Sequence, residues 1–321
     1  MSSVLALVGA LVPALVGLAP ARLPLSVYIE DTDAYAVVFY ANYLRFWERA
    51  AVTALGAPGI GERMRRDGKL FGLQSAHGMR YAAAATLGDE CEAVLEPLGV
   101  DADGRLAARG ALVRVSDGKE LCTAADLRFG FVSQQTGERI SEWPEMGSGD
   151  SSWWSEVSDA SAVPPADPAA GEVGAAPVPG TYPQLQPDTL ALQLDEASSA
   201  GTLSLHAAAR YFERHRTAFL GGPGGLQELA DSGVNVVVGR INGFRLLPAA
   251  HNVCVGTPLQ VRCRAILKAR NTQILFEQWL TTTDGEPLAR ADVSCICLDP
   301  AAGKMCAAPP AAAARIEKWL S

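Results

Sequence analysis

The chain repeats itself, and this restricts the folds open to it more than any other feature. Arg45-Phe46-Trp47-Glu48-Arg49 matches Arg210-Tyr211-Phe212-Glu213-Arg214 at an offset of 165 residues, and Gly78-Met79-Arg80 matches Gly243-Phe244-Arg245 at the same offset. Farther on, Ala125-Asp126 and Gly137 match Ala291-Asp292 and Gly303 at 166. An offset held so nearly constant indicates a tandem duplication of one module of about 120 residues. The 321 residues then divide into an apolar N-terminal segment (1–22), a first module (23–143), a linker (144–187), a second module (188–300) and a tail (301–321).

Composition supports that division. Residues 144–187 hold eight prolines among Gly, Ser, Ala and acids, a mixture suited to a linker and not to a core. Of the 35 acidic and 27 basic residues behind the net charge of −8, residues 140–209 supply ten acids and no Lys or Arg. The negative balance belongs mainly to the middle of the chain, and no nucleic-acid partner is expected. The seven cysteines show no CxxC pair, and the four histidines do not cluster with them. They read as small buried hydrophobes, so neither a metal nor a cofactor is expected.

Residues 4–20 are apolar and uncharged, interrupted by Pro13 and followed by Ala19-Pro20-Ala21. A removable targeting segment, a membrane anchor and a loosely packed extension all fit. An intracellular protein is expected, organellar if the segment is a targeting signal and otherwise cytoplasmic.

Each copy reads alike. A short strand (25–29; 190–194) leads through a polar turn into a helix (about 41–55; 207–220). Tyr43, Trp47, Ala50, Ala51 and Ala54 recur at three- and four-residue steps, the mark of a buried stripe. Gly56 with Pro58, and Gly221 with Pro223, stop the two helices. Residues 261–270 alternate, with Arg262, Arg264, Lys268 and Arg270 on one face of a strand and Cys263, Ala265, Leu267 and Ala269 on the other. Asp117-Gly118 and Asp284-Gly285 are hairpin turns. The fold class is α+β, one helix and a four- or five-stranded antiparallel meander, twice.

The run Val27-Tyr-Ile-Glu-Asp-Thr-Asp-Ala-Tyr-Ala-Val-Val-Phe-Tyr-Ala-Asn-Tyr-Leu-Arg-Phe-Trp-Glu-Arg49 resembles the opening of hotdog-fold acyl-CoA thioesterases of the 4-hydroxybenzoyl-CoA thioesterase type. Ala291-Asp-Val-Ser-Cys-Ile-Cys-Leu-Asp-Pro300 is similar to the last strand of that family. The resemblance implies two tandem hotdog modules, each a central helix wrapped by an antiparallel sheet, packed as an intrachain pseudo-dimer that further homo-oligomerisation can extend. It implies hydrolysis of an acyl-CoA or acyl-phosphopantetheine thioester. The active carboxylate falls on Asp33 and the carbonyl-polarising backbone amide on Tyr40, with Asp31, Ala41 and Tyr43 as substrate-binding neighbours. The chemistry is consistent: attack on a thioester carbonyl needs a base or nucleophile, and helix N-terminal amides are donors for the oxyanion.

Departures from the family pattern are specific. Ala36 stands where relatives carry Gly, and Tyr40 where many carry His. In the second copy Ser198 lies opposite Asp33, Glu196 opposite Asp31 and Gly201 opposite Ala36, so one active site per chain is expected. His206, Glu48 and Glu213 have either a part in catalysis or structural roles, an ion pair in the case of the glutamates. His77 and His251 read as residues in or beside strands. Arg63, Arg65, Arg66 and Lys69, and the stripe Arg262, Arg264, Lys268 and Arg270, either meet the phosphates of the substrate or form a solvated face. The alternatives to a thioesterase are a non-catalytic acyl-binding or scaffold protein and a hotdog hydratase or dehydratase.

Overall fold

A computed structural model describes residues 19–33, 35–56, 66–133, 135–136, 138–140, 190–193, 196–198 and 201–317. The apolar segment through residue 18, Arg63, Arg65 and all of 144–187 lie outside the described residues. The first half contains β1 (Ala21–Ser26), a 3-10 turn (Ile29–Asp31), α1 (Asn42–Ala54), β2 (Lys69–Tyr81), β3 (Glu90–Val100), β4 (Leu106–Arg114), β5 (Glu120–Ser133) and β6 (Arg139–Ile140). The second contains β7 (Leu190–Ala191), α2 (Leu205–Phe219), α3 (Gly222–Asp231), β8 (Asn235–Leu246), β9 (Pro258–Lys268), β10 (Gln273–Thr282), β11 (Pro287–Asp299), β12 (Lys304–Met305) and α4 (Pro310–Glu317).

The strands form one antiparallel sheet in the order β1-β3-β4-β5-β2-β8-β11-β10-β9-β7, with β6 on β5 and β12 on β11. Read outward from the centre, the two halves have the same topology. Only β3–β4–β5 and β9–β10–β11 form the expected meander. The first long strand of each half instead crosses over to pair with the last, β2 with β5 and β8 with β11. The two halves meet where β2 pairs β8, with Ala76 opposite Phe244, His77 opposite Gly243 and Met79 opposite Ile241. The repeated Gly-aromatic/Met-Arg triplet therefore marks the centre of the sheet.

The first strand begins earlier than the sequence predicts. In β1, Ala21 is buried while Arg22 and Pro24 point out, and a proline is tolerated because β1 is an edge strand. Residues 21 and 22 thus belong to the sheet and not to the apolar segment. The α1 stripe is as expected: Tyr43, Trp47, Ala50 and Ala51 are all buried. Trp47 donates its indole N–H to the Ala111 carbonyl at 3.1 Å. Gly110 makes room for that ring, since a Cβ there would lie 2.8 Å from it. Gly221, at φ +104°, ends α2 as predicted, but Pro223 then starts α3 instead of a loop. No helix among the described residues is long and apolar enough to cross a membrane.

Candidate active site

The two copies fold their pre-helix segments into the same small hairpin. Thr32 bridges Val38, and Ala197 bridges Leu203. At the tip the Asp33 amide donates to Val37 O at 2.9 Å and the Ala36 amide to Asp33 O at 3.0 Å. Ser198 and Gly201 make the equivalent bonds at 2.7 and 2.9 Å. Position four of this tip is left-handed, with φ +57° at Ala36 and +74° at Gly201. Glycine adopts that conformation freely; alanine pays about 1–2 kcal/mol for it. The copy that carries the acid therefore holds its turn under strain.

Asp33 is half-buried, and its Oδ1 accepts the Tyr35 amide at 2.8 Å. Burial raises its pKa above the ordinary carboxylate value. Nearby backbone amides oppose that shift, while the negative charge of Glu213 adds to it. Glu213 belongs to α2, so the second half reaches into the surroundings of the first half's carboxylate.

Three α2 residues spaced by four and three make this contact. Ala209 O accepts the Tyr40 hydroxyl at 2.6 Å. Glu213 pairs with Arg216, whose guanidinium lies 5.1 Å from the Tyr40 ring centroid and also donates to Gln278 Oε1. Arg216 is fully buried; burial works against its charge, and the Tyr40 hydroxyl and then the Glu213 carboxylate outweigh it and keep it charged. On the other side the Tyr81 hydroxyl donates to Tyr40 O at 3.1 Å, fixing the peptide that enters α1. Tyr43 is buried and its hydroxyl accepts the Ala85 amide at 3.3 Å.

The helix starts differ in one respect that matters. α2 is capped by Ser204, whose side chain accepts the Ala207 amide. At α1 the cap is Ala41, which has no side-chain acceptor to offer. Among the described residues, the Tyr40 amide meets no backbone acceptor. The uncapped helix start thus belongs to the half with the carboxylate.

Other predicted residues have structural partners. Asp31 is buried and accepts the Tyr28 amide at 3.1 Å, while its carbonyl accepts Asn42 Nδ2 at 2.9 Å. With Phe46, Arg49 and Glu30 it also lines a cavity of about 440 Å³ between α1 and β1. Glu196, its counterpart, is buried with Tyr211, Arg210 and Arg214 as partners. Glu48 accepts the Leu73 amide at 3.0 Å, where the β2–β5 register shifts. The glutamate repeat thus serves two purposes: Glu48 closes a strand irregularity and Glu213 pairs with Arg216, not with the Arg214 beside it. His206 Nε2 lies 3.0 Å from Asn42 Oδ1 and joins the starts of α1 and α2. Burial and three arginines push its pKa down to about 3, so it is neutral and donates to Asn42.

Solved structures share the fold over most of the chain. A protein from Lactobacillus plantarum described as an oleoyl thioesterase superimposes on 88% of this chain and 97% of its own, with a TM-score of 0.63 and 10% identity. The 12:0-ACP thioesterase from Umbellularia californica matches 87% of this chain and 94% of its own, at a TM-score of 0.59 and 10% identity. An acyl-ACP thioesterase from Bacteroides thetaiotaomicron matches 86% and 97%, at 0.54 and 15% identity. The fold is the hotdog fold. No family model matches the sequence, and no curated protein matches it either.

Within the hotdog sheet the basic stripe on β9 lies next to the far edge, four strands from the centre on its half. Arg264 and Lys268 are exposed, Arg264 pairs loosely with Glu277, and Arg270 sits in a left-handed turn past the strand end. Arg262 keeps the register that puts it on the face of Arg264, but it is buried there instead of solvated. Arg66 pairs with Asp67. His77 lies on β2 and His251 in a 3-10 turn beside β8. Sequence reasoning did not place Arg216, Tyr81 or Asn42 near the site, and only the α2 spacing of Arg216 from Glu213 hinted at one of them.

Proposed function

We propose that the chain is an acyl thioesterase built as a double hotdog, two modules packed as an intrachain pseudo-dimer with one active site. The observation that carries this reading is the pairing of a half-buried carboxylate, Asp33, with an uncapped helix start in the same half, while the other half has Ser198 and a capped helix. Asp33 takes a proton from water as the water oxygen attacks the thioester carbonyl carbon. The Tyr40 amide donates to the oxyanion that forms. Collapse of the tetrahedral intermediate breaks the C–S bond, and the leaving thiolate takes up the proton held by Asp33, which restores the carboxylate. A pKa above the ordinary carboxylate value makes Asp33 a better base at neutral pH. The substrates named for the structurally similar proteins, acyl chains on a carrier protein, suit this chemistry as well as acyl-CoA does.

The direct test is thiol release from a panel of acyl-CoA and acyl-carrier thioesters by purified protein. Turnover above the uncatalysed rate is expected for at least one. Saturable acyl-CoA binding without thiol release would instead identify an acyl-binding protein.

Glu213 offers a test of the electrostatics. Its negative charge disfavours the Asp33 carboxylate, so Glu213→Gln should lower the Asp33 pKa. The acid limb of kcat/KM is then expected to move to lower pH. A limb that stays in place or moves up would separate Glu213 from Asp33.

A further inference from the structure

Arginines gather on the exposed side of the α1–α2 junction. His206 and Asn42 hold the two helix starts together. Arg45 and Arg49 follow Asn42 by three and seven residues, and Arg210 follows His206 by four. Helical geometry sets each on the same face as the residue at the junction. The Arg45 guanidinium is destabilised by burial, by Arg49 and by Arg210, and the neutral His206 ring lies within the field of all three. Glu196 offsets Arg210 at 3.6 Å and also holds Arg214. Asp31 and Glu48 act on Arg45 from a distance, and each is held by a backbone amide. Among the described residues, neither Arg45 nor Arg49 has a carboxylate within ion-pair distance. Like charges brought together are costly; Glu196 beside Arg210, and Glu30, Asp31 and Glu90, which line one cavity with Arg49, offset part of that cost without pairing Arg45 or Arg49, and an anion relieves the rest.

We propose that Arg45, Arg49 and Arg210 form a binding site for the phosphate of a phosphopantetheine-bearing thiol, placed on the helices that frame the Asp33 site. Arg45 and Arg49 lie five and nine residues past Tyr40, about 7 and 14 Å along the helix axis. A phosphate held there needs a long arm to present its thioester at the Tyr40 amide. Phosphopantetheine supplies one, both in CoA and on a carrier protein. The thioester end of this assignment rests on the proposed hydrolysis; the phosphate end does not.

The test is titration of the full chain with CoA, with pantetheine, and with a phosphopantetheinylated carrier protein. CoA or the carrier should bind about tenfold or more tightly than pantetheine. Arg45→Gln/Arg49→Gln breaks no ion pair among the described residues, so it should fold normally and lose that difference while binding pantetheine as before. Adding Arg210→Gln should deepen the loss. A loss for CoA alone identifies CoA as the source, and a loss for the carrier alone identifies the carrier. The site is overturned if neither phosphate-bearing probe outbinds pantetheine, if the double variant keeps the preference, or if pantetheine binding falls equally. Arginine-dependent CoA binding without thiol release would leave the site standing and refute only the thioesterase reading.

Discussion

Asp33→Asn is expected to reduce thioester hydrolysis by about 10²–10⁴ in kcat while the protein stays folded. The amide side chain still accepts the Tyr35 N–H that Asp33 Oδ1 holds at 2.8 Å, so the hairpin keeps its geometry. What it loses is the capacity to take a proton. Relief of the unfavourable field of Glu213 on the Asp33 carboxylate should leave the variant at least as stable as the parent. Ser198→Ala is the matched control, made at the same place in an equivalent hairpin. Ser198 exchanges a hydrogen bond with Thr202 at 2.8 Å, so the change costs local stability of about 1 kcal/mol and little activity. Circular dichroism and thiol-release kinetics on both variants decide the matter. Wild-type activity in Asp33→Asn would remove the mechanism, and a severe defect in Ser198→Ala would move the site to the other half.

The parts of this site that were legible in the sequence are those set by local structure. Asp-x-Asp before an amphipathic run gives a turn and then a helix start, whatever the rest of the chain does. The offset of 165 placed Ser198 opposite Asp33, and the matching hairpin bonds depend only on residues a few positions apart. The contribution of the second half was not legible. Glu213 reaches the surroundings of Asp33 because β2 and β8 pair and set α1 beside α2, and nothing local to Glu213 reveals that. Nothing in the sequence singles out Arg216 for burial, which follows from the Tyr40 ring and Gln278 arriving from other elements. Alternation on β9 predicted Cys263 and Ala265 inside, yet Arg262 is buried as well, because period-two reasoning cannot see the turn at Gly285 that lies against it. The strained Ala36 shows the reverse. It stands where the family pattern has glycine, and the backbone nevertheless keeps the left-handed turn.

Stability should fall steeply between pH 7.5 and 5, and buried histidines are the cause. His215 and His251 are 5% and 7% exposed, and burial pushes both pKa values down to about 4; His206 sits at about 3. In the unfolded chain each returns to about 6.5. A group whose folded pKa is depressed in this way stabilises fully above its unfolded value and loses that contribution as pH falls toward the folded one. At pH 5 the unfolded chain binds the extra protons and the folded chain does not, which costs about 2 kcal/mol for each of the two most buried histidines. Against a typical total of 5–15 kcal/mol, about 4 kcal/mol is a large fraction. Asp33 and Glu48, with raised pKa values, act in the opposite sense, but chiefly nearer the carboxylate range. Urea unfolding at pH 7.5, 6 and 5 measures the slope. Neither ring nitrogen of His215 finds a partner among the described residues, so His215→Leu removes both an unsatisfied group and a titration. That variant is expected to gain stability at every pH and to flatten the slope by about a third, because His206 contributes a share similar to those of His215 and His251. A slope unchanged in His215→Leu would assign the acid sensitivity to other groups.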